Sequence, residues 1–359
     1  MKSQWFDGHL DLACLALEGR DLMEPAHKAH GGPRPVSVTF PSLEKGGVVR
    51  ANATIFTAPD MEASFGYPSN DPEAAHALGV RQLKFYKMWE QIGLLQIIRN
   101  SQDFDFLPAN PLQKRPLQVV LLMEGADPIR TPEEVEWWYD QGLRIIGLSW
   151  NKGTRYAGGN GTTHPLTSLG KNCVQAIEKK GIIHDLSHLS DASAWELLDM
   201  TQGPVIASHS NARALMHGKN QRHLSDELIR EINNRNGVIG INLFSRFLTK
   251  NFPNRRATIE ETIQHIEHIC EIMKRSDGIA LGSDMDGGFG ANFLPEGIDH
   301  PSDLGRLLQA LMDRGWSRKE LLGFAQCNWL TFMRKNLPSE HQVEEREELA
   351  PQPISIKRA

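Results

Sequence analysis

Three histidines and several acids stand along this chain at intervals where their chemistry can be shared. His9 and Asp11 lie two residues apart in DGHLDL. Glu124 follows in LLMEGAD, His188 in IIHDLSHLS, His209 in VIASHSNA, and Asp284 with Asp286 in ALGSDMDGG. Imidazole nitrogens and carboxylate oxygens are ordinary zinc ligands. His9, Asp11, Glu124, His188 and His209 suffice for two metals if one carboxylate bridges them. A bridged pair lies about 3.5–4 Å apart and can hold a hydroxide nucleophile at neutral pH. The chemistry to expect is metal-assisted hydrolysis. A lone histidine or one HxD pair would be a weak signal; the set gains strength from where its members fall.

They fall at strand ends. Eight apolar, β-branched segments read as buried parallel strands, at residues 5–13, 48–56, 118–124, 144–150, 182–188, 204–209, 237–244 and 278–284. Helical stretches at 72–100, 131–141, 168–180, 191–201, 225–235 and 258–274 separate them, with Asp191, Ser225 and Thr258 where N-caps belong. Two more helices, near 302–313 and 317–334, close the pattern. Strands alternating with helices predict an α/β fold, and eight of them predict a closed (β/α)8 TIM barrel. Barrel enzymes carry their chemistry at the C-terminal strand ends, and five of the eight ends here deliver His, Asp or Glu. His9 and Asp11, two apart on one strand, should point to one face.

Other residues read more plainly. His184 shares a predicted strand face with His188 and is expected deeper in the barrel as a hydrogen-bonded core residue. Asp185 is expected to face the other way, toward a neighbouring helix. His27, His30, His76, His164, His217, His265, His268, His300 and His341 read as surface, helix or loop residues. GGFGAN, at 287–292, lacks the lysine and strand–helix context of a phosphate loop and reads as a flexible rim loop. Residues 15–46 are rich in Gly, Pro and His, with a short helical piece at 42–45. We expect one catalytic domain over 1–337 and a charged, loosely attached tail over 338–359.

Composition narrows the function. The chain has 359 residues and a net charge of −5, which gives no general attraction to nucleic acid or anionic lipid. No nucleic-acid motif is present. The four cysteines are far apart and form no CxxC pair, which reads as reduced thiols. The first residues lack a charged segment followed by an apolar one, and no apolar run approaches the ~20 residues of a membrane span. The expectation is a cytoplasmic protein with no membrane partner.

The motif blocks, taken in order, resemble the membrane dipeptidase (renal dipeptidase-like) family, of its bacterial type. The carriers are DGHLDL (7–12), LEKGGVVRANATIF (43–56), MEGAD (123–127), GLRIIGLSWN (142–151), LTSLGKNCVQAIEKKGIIHDLSHLS (166–190), PVIASHSNARAL (204–215), RHLSDE (222–227) and GSDMDGG (282–288). The resemblance runs from about residue 5 to 336. It implies a barrel of the metal-dependent amidohydrolase type and a two-zinc dipeptidase acting on small dipeptides. His9 and Asp11 would bind one Zn2+, His188 and His209 the other, and Glu124 would bridge. Asp284 would manage protons at the reacting water. Arg222 would hold the substrate carboxylate, a task suited to a guanidinium fork. A homodimer is suggested on the same footing.

Three departures accompany the resemblance. Leu10 replaces the family's usual asparagine and should point away from the metals. His223 follows Arg222 where asparagine is common, either altering the clamp's surroundings or facing solvent. Trp150 stands where mammalian-type members place a substrate-contacting histidine. It adds an apolar wall to the substrate-binding region, so substrate preference does not carry over from those enzymes. The competing readings are an amidohydrolase acting on N-acyl amino acids or another small amide or ester, and a barrel that binds without catalysis.

Overall fold

The computed structural model describes residues 4–106, 115–218 and 220–339. All eight expected strands are present in order: β1 (Trp5–Leu10), β2 (Val48–Phe56), β3 (Leu117–Glu124), β4 (Leu143–Gly147), β5 (Ile183–Asp185), β6 (Val205–Ile206), β7 (Ile239–Ile241) and β8 (Ile279–Leu281). Strands β1 to β6 form one parallel, hydrogen-bonded path. β7 pairs with β8, and the parallel bridge Ala207–Ile239 connects this pair to the end of β6. A short strand not expected from the sequence, Leu95–Ile97, pairs with the first residues of β3. No ladder joins β8 to β1 among the described residues. Those strands meet otherwise: the Ser283 amide donates to Asp7 Oδ1 at 2.7 Å, and Gly8 lies against the Leu281 and Ser208 carbonyls. The result is an α/β fold with a curled parallel sheet.

The strands are buried on both faces, as their unbroken apolar runs demand. Phe6, Val120, Leu122, Ile145, Ile183, Ile206, Val238 and Ala280 pack into one cluster, closed at one end by Trp329, Phe332 and Met333. The alternate positions, such as Val119, Leu121, Met123 and Ile146, join a second cluster with residues of the surrounding helices. The two-residue period of a strand therefore separates an inner core from an outer one. Glu124 continues the inner series of Val120 and Leu122, so the strand itself aims it at the centre.

The helices follow their local signals. Thr258 and Ser225 cap Ile259–Met273 and Asp226–Asn234, accepting from Glu261 and Leu228 amides. Ser190, rather than Asp191, caps Asp191–Met200. The predicted helix over 72–100 ends at Gln91, because Gly93 takes a left-handed φ of 76° and the apolar run beyond it becomes Leu95–Ile97. The short piece at 42–45 is a full Phe40–Gly46 helix. The expected tail lies outside the described residues from 340 onward.

Candidate metal centre

The C-terminal strand ends gather the expected residues into one buried cluster. Glu124 sits at its middle. Its Oε2 lies 3.2 Å from His9 Nε2, and its Oε1 lies 3.1 Å from His188 Nε2 and 3.5 Å from His209 Nε2. One carboxylate oxygen thus faces each side. Asp11 Oδ1 is 3.7 Å from His9 Nε2. His9, Asp11 and Asp284 bring ligand atoms within 4.8 Å of one another, as do His9, Glu124 and His209. The His9 and His209 rings stack at 3.7 Å.

How the chain delivers them differs from the sequence expectation in detail. β1 stops at Leu10, and Asp11 occupies the N-cap position of the Leu12–Leu17 helix without capping it. Its carboxylate instead accepts from the Thr54 hydroxyl of β2. His188, His209 and Asp284 each lie three residues beyond their strands, in turns. His188 and Asp284 adopt left-handed φ of 66° and 58°. Such backbone is uncommon outside glycine and concentrates at functional sites. Gly287 makes room for the acids: a Cβ there would come within 1.9 Å of Asp284 Oδ1 and 3.0 Å of Asp11 Oδ2.

One expectation is reversed. Asp185, not His184, points inward. Its carboxylate accepts from the Ser208 hydroxyl and the Ser187 and Ser208 amides, beneath the histidines. His184 faces outward, with Nε2 3.4 Å from Glu178 Oε2 on the Ser168–Lys180 helix. The expected alternation counted back from His188, but the strand ends at Asp185 and the turn breaks its period. Asp286 stands apart from the cluster. It forms a buried ion pair with Arg20 at 2.6 Å and accepts from the Ser37 and Val38 amides, tying the irregular first crossover to the end of β8.

Burial and mutual contact set the charge on each member of the cluster. Burial opposes charge on every member. Burial alone would depress His9, yet Glu124 and Asp11 override it and lift its imidazole to about 10. Glu124 is held well below the carboxylate range despite burial, chiefly by the neighbouring His9. Burial pushes Asp284 up to about 8, with His9 opposing and Asp11 and Glu124 adding to the rise. His188 is pushed down to about 4 by burial and Arg222.

A metal fits this donor set on geometric grounds. The Nε2 atoms of His188 and His209 stand 3.0 Å apart. His9 Nε2 is buried without a hydrogen-bond partner among the described residues. The other ring nitrogens are engaged behind the cluster: His188 Nδ1 with Asn160 Oδ1 at 2.8 Å, and His209 Nδ1 with Ser208 Oγ at 2.7 Å. Metal-bound histidines are typically anchored this way through the second nitrogen.

The remaining expected residues flank the centre. Arg222 is buried; its Nη1 and Nη2 donate to Ser210 Oγ at 3.1 Å and the His209 carbonyl at 2.8 Å. Its guanidinium lies 5.0 Å over the Phe247 ring. Trp150 is half-buried between Phe56, at 5.3 Å, and His188, at 6.0 Å. His223 does not face solvent; it is buried edge-to-face on Phe247. The GGFGAN segment is packed, with Phe289 stacked 4.1 Å from Phe244. Sequence reasoning passed over Thr54, Asn160, Ser208 and Asn242. Asn242 donates to Asp284 Oδ2 at 2.8 Å. It stands just past β7, where the strand-end rule applied to the other ligands would have found it. A cavity of about 580 Å³ opens at the opposite end of the strands, lined by Val48, Arg50 and Leu117, remote from these residues.

Among known proteins, the model of the family described as "Membrane dipeptidase (Peptidase family M19)" matches residues 1–346. An uncharacterized Klebsiella pneumoniae protein is 28% identical over 264 residues, covering 69% of this chain and 95% of that one. Mouse Dipeptidase 3 is 28% identical over 250 residues, covering 67% of this chain and 48% of the mouse protein. The chain spans about half the length of several curated relatives. In fold it is similar to a Rhodobacter sphaeroides metallo peptidase liganded with a phosphinate mimic of L-Ala-D-Ala. That likeness has a TM-score of 0.79 at 22% identity and covers 94% of this chain and 100% of that one. Among the described residues, no helix is long and apolar enough to cross a membrane.

Proposed function

The chain belongs to the membrane dipeptidase family of peptidases, and from that premise we propose that it is a two-zinc dipeptidase built on a closed eight-stranded barrel. Closure is supported by the Asp7–Ser283 contact and by Gly8 packed between β6 and β8. The observation that carries the functional reading is Glu124, with one oxygen toward His9 and the other toward His188 and His209. His9 and Asp11 would hold one zinc ion, His188 and His209 the second, with Glu124 shared. Bound there, the zinc pair would supply Lewis acidity toward a carbonyl oxygen and a nucleophile from water at neutral pH.

The protein's own groups do the rest. Asp284, buried beside His9 and Asp11, takes the proton released at the attacking water and passes it to the leaving amine. Asn242 holds one of its oxygens, leaving the other for that transfer. Arg222, packed on Phe247, pairs with the substrate's free carboxylate and so measures chain length. Trp150 and Phe56 provide an apolar wall beside His188.

A substrate panel on zinc-loaded protein tests this reading. Hydrolysis of L-L or L-D dipeptides, with little on dipeptide amides or N-acyl amino acids, is the expected result. Preference for N-acyl amino acids would move the protein to another amidohydrolase activity. Arg222→Ala should raise KM for dipeptides by about 10-fold or more, since hydrogen bonds to charged groups contribute about 1.5–3 kcal/mol. An unchanged KM would remove the clamp.

A further inference from the structure

A single hydroxyl sits beneath both halves of the centre. Ser208 has the inner-face parity of Ile206 and is fully buried. Its Oγ donates to Asp185 Oδ2 at 2.5 Å, while Asp185 Oδ1 takes the Ser208 amide at 2.9 Å and the Ser187 amide at 3.0 Å. The same Oγ lies 2.7 Å from His209 Nδ1 and 3.4 Å from His9 Nδ1.

Counting hydrogens decides what these contacts mean. A serine hydroxyl has one hydrogen and two lone pairs. The hydrogen goes to Asp185, so toward the histidines Ser208 can only accept. His209 therefore carries its proton on Nδ1, and so does His9 where it meets the same oxygen. In both rings Nε2, the atom turned toward Glu124, is then the nitrogen left for a metal, which in His9 would take the place of the second proton. The stacking of the two rings at 3.7 Å is what lets one oxygen reach both. Glycines 8, 240 and 282 surround the Ser208 backbone; a Cβ at any of them would come within 2.7, 1.9 or 2.0 Å of its carbonyl oxygen. The Ser208 backbone is closely held there.

We propose that Ser208, aligned by Asp185, is a positioning residue shared by the two zinc subsites, setting tautomer and ring orientation of His9 and His209 together. The inference rests on the two-zinc reading above. His188 is served separately by Asn160, so the two supports can be told apart.

The test is zinc affinity, read by competition with a fluorescent chelator on the full chain after zinc depletion, with circular dichroism as the check on folding. In Ser208→Ala both zinc equivalents should weaken, by about 10–100-fold, the usual cost of losing a group that anchors a metal ligand. In Asn160→Ala only one should. If Ser208→Ala does not fold, Asp185→Asn replaces it, with the same loss at both equivalents expected. Both equivalents as tight as in wild type, or a loss at only one, in the folded variant would overturn the proposal. Wild-type protein binding fewer than two zinc ions would instead sink the two-zinc reading, and this inference with it.

Discussion

Asp284→Asn is expected to lower kcat for a dipeptide by at least about 100-fold, since positioned acid–base groups contribute about 10²–10⁴. The substitution keeps shape and volume. The new side-chain oxygen can still accept from Asn242 Nδ2, so the network of Asn211, Asn242 and residue 284 stays intact. What disappears is a carboxylate able to hold a proton. Burial pushes that carboxyl up to about 8, which favours its holding a proton. The readouts are kcat, KM and zinc content together. Wild-type turnover would refute the role. Loss of zinc along with turnover would make Asp284 a ligand instead, which its place beside His9 and Asp11 also permits.

Glu124→Gln should be more damaging still. The carboxylate faces three imidazoles with its two oxygens, and an amide can turn an oxygen to only one side. Its NH2 would point at a histidine nitrogen needed for metal. We expect fewer than two zinc ions per chain and a kcat reduced by at least about 10³-fold. That figure follows from losing several kcal/mol of metal-derived stabilisation at about 1.4 kcal/mol per tenfold. Normal zinc content with normal turnover would exclude a bridging role.

Much of this was legible in the sequence because strands are simple. Apolar β-branched runs located all eight, and Glu124 was found at the end of one that the structure keeps as an unbroken strand through that residue. The difficulty began where strands end. His188 and Asp284 sit in left-handed turns, and a period counted through such a turn assigns the wrong face, as it did for His184 and Asp185. Asp11 looked like a strand residue because nothing in DGHLDL marks the abrupt change to helix after Leu10. Arg222 lies in a turn before Asp226–Asn234, outside any strand pattern, and only the family resemblance drew attention to it. Ser208 was hidden by its own chemistry: a serine beside a histidine is commonplace, and its role depends on Asp185 and His9 arriving from other strands.

The most direct measurement is a zinc titration of metal-depleted protein, with hydrolysis of one L-L or L-D dipeptide recorded at each addition. A bridged centre predicts turnover that climbs to its maximum at two zinc ions per chain and then stays level. Full turnover before any zinc is added, or saturation at a single equivalent, would contradict it.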